Sequence, residues 1–182
     1  MRNRTEELIF DTGPLSHFAQ QGWLGILRLV VGERVAVIPD TVTDELNAGI
    51  PGRPHLRLVL DAPWIERRDL TTENELRHLG QFAKMLVVNE RNLGEAAVLA
   101  YAKANGATAI IDDRSARKVA QLHGVSCRGT LSLLCEAIHD GHLTISLVST
   151  VADHLIESNY RLPFKPGGFE RWARENCLIP AS

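Results

Sequence analysis

The sequence predicts an α/β fold: a mainly parallel sheet with helices on both faces, followed by a helical C-terminal extension. Three observations carry this. Short runs of small or branched apolar residues recur at 8–10, 35–38, 107–111 and 125–127. Longer stretches with helical spacing lie between them, several ended by Gly or Pro. Strands that alternate with helices pair in parallel, because each helix carries the chain back to the start of the next strand. From about Thr144 the strand signals stop, and only helical patterns remain.

The elements follow in order. Leu8-Ile9-Phe10 is a buried strand, stopped by Asp11-Thr12-Gly13-Pro14. Residues 15–20 and 23–31 are short helices broken around Gly22. Residues 35–38 form a second buried strand ended by Pro39, and 41–48 a helix. Thr41-Val42-Thr43-Asp44 fits a capping box at its start. A loop at 49–54 leads to a helix at 55–61. Residues 64–68 are a third strand, with Trp64 and Glu66 alternating with Ile65 and Arg67. Thr71 or Thr72 caps a helix running to about Val87 with an interruption at Gly80, and 89–92 is a loop. Residues 93–104 are an alanine-rich helix with Gly106 just past its end. Residues 107–111 are a fourth strand, 114–123 a helix stopped by Gly124, 125–127 a short strand, and 131–139 a helix stopped by Gly141. In the extension, 149–157 and 169–175 are helices around a loop at 162–168. A chain of 182 residues suits a single domain, read as a body of 1–143 with the extension, 144–182, packed on it.

Composition narrows the function. The net charge of −2 carries no global signal for nucleic acid, although a local basic rim, or a metal facing phosphate, can still serve. Cys127, Cys135 and Cys177 form no C-x-x-C pair, which argues against a disulfide scaffold and for a reducing cytoplasm. Cys127 and Cys135 read as small core residues. No signal-peptide pattern and no apolar run of membrane-spanning length is present. His139-x-x-His142 has a spacing found in metal sites, but Gly141 interrupts it and suitable partners are lacking. Gly-rich phosphate loops, G-x-S-x-G and H-E-x-x-H are absent.

Five carboxylates stand out. Asp11 ends the first strand, Asp112 and Asp113 end the fourth, and Glu45 and Glu95 lie near the starts of two helices. In a parallel sheet all these places share one edge, where ligands bind. Carboxylates packed together repel unless they share protons or hold a cation. An all-oxygen set favours Mg²⁺ or Mn²⁺, which can activate a water and bind the oxygens of a phosphodiester. Each acid also has a local reading. Asp11 and Asp113 can be helix N-caps, Asp113 can pair with Arg117, and Glu95 suits the helix macrodipole. Asp44 has the capping box; Glu45 has no local role. The doublet adds a like charge where capping needs only one.

Ile9-Phe10-Asp11-Thr12-Gly13-Pro14-Leu15, Val42-Thr43-Asp44-Glu45-Leu46, Leu93-Gly94-Glu95-Ala96-Ala97 and Ile111-Asp112-Asp113-Arg114-Ser115-Ala116-Arg117 occur in an order that resembles a PIN domain. More narrowly, it resembles the VapC-like branch of predicted nucleic-acid-binding proteins. Gly129-Thr130-Leu131-Ser132-Leu133-Leu134 is similar to a segment this branch carries after its last strand. The resemblance spans roughly residues 7 to 143. It implies a three-layer α/β/α sandwich and a metal-dependent ribonuclease. By position, Asp11, Glu45, Glu95 and one of Asp112 and Asp113 match the family's acidic quartet. Asp113 is favoured because Arg114 follows it, with Asp112 adjusting the field; all five are candidate ligands for Mg²⁺ or Mn²⁺. Glu95 stands where many members have Asp, which changes reach by one methylene.

Thr12 and Ser16 are candidates to hydrogen-bond the ligands from behind, though Ser16 also reads as an ordinary helix-surface residue. Arg114 and Arg117 adjoin the acidic edge and are candidate RNA-backbone contacts. The other basic groups, Arg53 with Arg57 and Lys165 with Arg171 and Arg174, read as solvated faces. The expectation is a cytoplasmic endoribonuclease, the toxin of a toxin–antitoxin pair, with a small protein inhibitor and a homodimeric assembly. One alternative is a non-catalytic PIN-like module that binds RNA or protein; retention of all four acids argues against it. Another is a metal-dependent phosphatase of the aspartyl-phosphate type, which needs D-x-D where this chain has Asp11-Thr12-Gly13.

Overall fold

Leu8, Ile9 and Phe10 are wholly buried in β1 (Glu7–Phe10), the central strand of the sheet. The computed structural model describes residues 5–88, 92–176 and 178–179. Around β1 lie β2 (Val35–Pro39), β3 (Ile65–Arg68), β4 (Thr108–Ile110) and β5 (Cys127–Arg128), in the order β3-β2-β1-β4-β5 and all parallel. Ile9 pairs with Val37 on one side and Ala109 on the other. Strands covered on both faces read as continuous apolar runs, which is why β1, β2 and β4 were legible.

The chain moves from β1 out to β2 and β3, then crosses back over β1 to β4 and β5. The direction of travel reverses between β1 and β4. Open α/β sheets place their ligand crevice there, outside the strand C-termini. Helices cover the sheet: α1 (Thr12–Gln20), α2 (Leu24–Val31), α3 (Asp40–Gly49), α4 (Leu56–Leu60), α5 (Glu73–Leu86), α6 (Leu93–Asn105), α7 (Arg114–Leu122) and α8 (Thr130–His139). Residues 96–100 of α6 are buried all round, and alanines at 96, 97 and 100 let the helix fit between the sheet and α5. This is the three-layer α/β/α arrangement.

Four local expectations need correction. α5 runs unbroken through Gly80; Thr72 caps it in a reciprocal box with Glu75. The capping box at Thr41 does not form. The extended backbone of Pro39 ends β2, α3 starts at Asp40, and the Asp40 carboxylate takes the Thr41 N–H (2.7 Å). Asp44 is therefore an exposed residue without a capping role. β5 starts two residues late, because the Val125 N–H turns back to the Ala120 carbonyl at the end of α7. The helix α9 (Ile145–Glu157) starts four residues early, capped by Thr144. The expected loop at 89–92 falls mostly outside the described residues, as does Cys177.

α9 and α10 (Phe169–Glu175) join the same core. Val148, Val151, Leu155 and Phe169 are fully buried within it. The Trp23 indole donates to His154 Nδ1 (3.1 Å), and the His17 ring bonds the Ser158 hydroxyl (2.9 Å). Burying a Phe side chain is worth about 1.5–3 kcal/mol. Deleting residues 163–182, which removes Phe164 and Phe169, is therefore expected to give an aggregating protein. A truncated chain that stays soluble, with an unchanged melting temperature, would show that α10 is dispensable to the core.

Candidate active site

Asp11 follows β1 directly, and its N–H bonds the Ile110 carbonyl (3.2 Å), so it sits at the mouth of the β1–β4 crevice. Its carboxylate also caps α1, accepting from the Gly13 N–H (3.3 Å). It is 9% exposed. Burial, and then the charge of Glu95, push its carboxyl up to about 7; the Gly13 and Thr12 N–H groups oppose this, and Glu45 adds to it.

Glu45 lies on α3 behind β2 and is tied across the crevice. The Thr12 hydroxyl donates to its Oε2 (2.7 Å) and the Gly94 N–H to its Oε1 (3.1 Å). A Cβ on Gly94 would stand 2.8 Å from one carboxylate oxygen and 2.9 Å from the other, so this close approach needs glycine. Glu95, next along α6, is half-buried. Its carboxyl is raised by burial, against its own backbone N–H, and then by Glu45 and Asp113.

The doublet divides. Asp113 caps α7, accepting from the Ala116 N–H (2.9 Å); it is exposed, and its charge helps raise Glu95. Asp112 is occupied by protein donors: the Thr130 N–H on Oδ1 (2.9 Å), and the Thr130 hydroxyl (2.6 Å) and the Tyr160 hydroxyl on Oδ2. Its charge acts on Tyr160, His17 and Cys127. The structure thus brings Asp11, Glu45, Glu95 and Asp113 into one electrostatic group, with Asp112 turned into a separate network. Thr12 supports Glu45, and Ser16 is buried in α1 instead of lying on the helix surface.

Among the described residues, no three His, Cys, Asp or Glu side chains stand in a ready-made metal-binding geometry. Asp11, Glu45 and Asp113 each accept from nearby N–H or O–H donors. The hydrogen-bonded oxygens of Asp11, Glu45 and Asp113 each keep a second lone pair, so acceptor capacity remains. His139 and His142 are exposed at the end of α8 and take no part.

Arg114, Arg117, Lys118 and Gln121 share one face of α7, and with Val125 and Cys127 they line a groove of about 470 Å³. The helix that Asp113 caps therefore also carries the cations. Lys118 reads in the sequence as one basic group with Arg114 and Arg117, while Gln121 was legible through this i, i+3, i+4, i+7 spacing but had no role attached. Burial pushes the Cys127 thiol up to about 11, which leaves it without thiolate chemistry at neutral pH. Gly94 and Thr130 were inside recognised motifs with no role attached. Tyr160, in the extension, had no sequence signal.

A domain-family model described as a PIN domain (DUF3368) matches residues 7–165. The chain belongs to the PIN-domain family. The match takes in all five carboxylates and runs past residue 143, through α9 to beyond Tyr160. A search of curated proteins finds no match. Among solved structures, this PIN domain is similar to a chain in the crystal structure of VapBC2 from Rickettsia felis bound to a DNA fragment from their promoter. Identity is 13% and the TM-score 0.51, over 68% of this chain and 98% of that one. The likeness is one of fold.

Proposed function

We propose that this PIN-domain protein is a Mg²⁺- or Mn²⁺-dependent endoribonuclease. The observation that carries the reading is the buried Asp11, its carboxyl pushed up to about 7 within the group it forms with Glu45, Glu95 and Asp113 at the switch-point crevice. Such a group is short of positive charge, and its all-oxygen donors suit a hard ion. Asp11, Glu45, Glu95 and Asp113 would hold it. Bound there, the ion supplies the charge that lowers the pKa of an attacking water and neutralises the phosphodiester. The chain's own part is positional. Thr12 and Gly94 fix Glu45, the Gly13 and Ala116 N–H groups fix Asp11 and Asp113, and Arg114, Arg117 and Lys118 take the RNA backbone.

The purified chain with Mn²⁺ should cut single-stranded RNA internally, and EDTA should stop it. Arg114→Ala should weaken RNA binding and lower the salt dependence by about one phosphate contact, with the metal response unchanged. A second reading, a non-catalytic module that binds RNA or protein, is favoured by the lack of a ready-made metal geometry among the described residues. It takes over if the wild type shows neither cleavage nor a metal-induced rise in melting temperature.

Gly94→Ala separates the two readings further. The atoms its methyl meets are the movable end of Glu45, so the fold should survive while the carboxylate is displaced. The Mn²⁺ concentration at half-maximal thermal shift should rise on the order of 10-fold, the usual cost of disturbing a ligand's supports. An unchanged midpoint would remove Glu45 from the ligand set.

The fold likeness to a VapBC2 chain supports the toxin of a toxin–antitoxin pair, with a small antitoxin protein as inhibitor, and the sparse cysteines suit a cytoplasmic location. A homodimeric assembly rests on the family resemblance. Sedimentation that shows only monomer at micromolar concentration would remove the dimer.

A further inference from the structure

We infer that Tyr160, in the C-terminal extension, is a positioning residue for the acidic centre: with Thr130 it immobilises Asp112 and so sets the turn that carries Asp113. The inference rests on the nuclease reading above. Asp112 is one peptide bond from Asp113, at the end of β4. Both its oxygens are taken by protein donors, and Tyr160 supplies the donor that comes from outside the sheet-and-helix body. The Tyr160 hydroxyl also lies 3.2 Å from Thr130 Oγ1, so the three side chains form a closed network. Tyr160 and Thr130 are both buried.

The approach of Tyr160 is specified by the chain around it. Asn159 adopts a left-handed conformation (φ 64°), and the Tyr160 N–H returns to the Leu155 carbonyl (3.0 Å) at the end of α9. This turn lays the tyrosine ring 4.7 Å from the His17 ring on α1, the helix that Asp11 caps. Tyr160 therefore contacts both α1, through His17, and the β4–α7 turn, through Asp112. A tyrosine kept only for its ring has no need to place its hydroxyl on a carboxylate beside the site. Here the hydroxyl keeps Asp112 turned away, so that the doublet presents one carboxylate, Asp113, to a cation. Without it, Asp112 loses a donor and gains a free lone pair, and the turn is released.

Tyr160→Phe keeps the ring and removes only this donor. We expect kcat for RNA cleavage to fall on the order of 10-fold, and the Mn²⁺ midpoint to rise similarly, as for other outer partners of metal ligands. KM for RNA should stay unchanged, since the α7 groove is untouched. Amide hydrogen exchange over residues 112–116 should quicken in the metal-free protein. Thr130→Val should reproduce these changes and Thr130→Ser should not, which serves if Tyr160→Phe fails to fold. Wild-type kcat, Mn²⁺ midpoint and exchange in Tyr160→Phe or Thr130→Val overturn the inference and leave the nuclease reading standing. A wild type with no Mn²⁺ response and no cleavage takes down both.

Discussion

Asp11→Asn should abolish metal-dependent RNA cleavage, with kcat falling by more than about 100-fold, since loss of a direct ligand outweighs the 10–100-fold cost of losing an outer partner. The amide keeps the shape, and its carbonyl can still cap α1, so the fold should persist while the charge is gone. Asp113→Asn and Glu95→Gln should do the same. The contrast between two adjacent acids is the sharper measurement. Asp44 is exposed and caps nothing, so Asp44→Asn should leave the rate within about twofold, as surface changes usually do. Glu45 is held by Thr12 and Gly94, and Glu45→Gln should be inactive. If Asp44→Asn is dead and Glu45→Gln active, the assignment of α3 is wrong. Equal cleavage by wild type and Asp11→Asn would identify the activity as a contaminant.

The second large effect is on stability. Metal-free protein should lose stability as pH rises from 5 to 8. The sign follows from Asp11, whose folded pKa is raised from 3.8 to about 7 by burial and by Glu95. A carboxyl raised in the fold binds its proton more tightly there than in the unfolded chain. The penalty is absent below about 4, grows as pH climbs, and is complete above about 7. Between pH 5 and 8 this amounts to about 2–3 kcal/mol, or roughly 5–10 °C in melting temperature for a chain of this size. Glu95, also raised, acts in the same direction. Glu75, lowered by its Asn105 and Thr72 hydrogen bonds against its burial, acts oppositely but only at more acid pH; the His17 and His55 rings, lowered by burial, also act oppositely below about 6.5, so the difference between wild type and Asp11→Asn isolates the carboxyl. Asp11→Asn should flatten the slope and raise the stability of the metal-free protein at pH 8. Saturating Mn²⁺ should restore the wild type at pH 8, because it binds only the folded site. A pH 5 to 8 curve in EDTA that Asp11→Asn leaves unchanged would mean that the Asp11 carboxyl is not raised in the fold.

Much of this was legible from local chemistry. Leu8-Ile9-Phe10 and the run at 107–111 read as strands because parallel strands are apolar on both faces. Asp11, Glu45, Glu95 and Asp113 could be placed on one edge because each sits where a strand ends or a helix begins. Asp11 and Asp113 turned out to be helix caps as well, so the local and functional readings of one acid are compatible. The box at Thr41 was misread because a cap depends on where the helix starts, and Pro39 set that start one residue earlier.

By itself, then, the sequence determined the order of strands and helices, the PIN-domain family, and the identity of the acids that share the crevice. These follow from patterns a few residues long: apolar runs, breakers, and acids at element ends. The tertiary structure alone decided which member of the Asp112–Asp113 doublet remains available, why residue 94 is glycine, and that the extension reaches the site. Each of those depends on a contact between distant parts of the chain. Asp112 is claimed by Thr130, 18 residues on, and by Tyr160, 48 residues on, while Gly94 answers to Glu45, 49 residues before it. Such pairs share no local spacing rule. They exist because the sheet closes the distance and leaves a half-buried carboxylate little solvent, so that it finds its donors in whatever the packed chain has brought alongside.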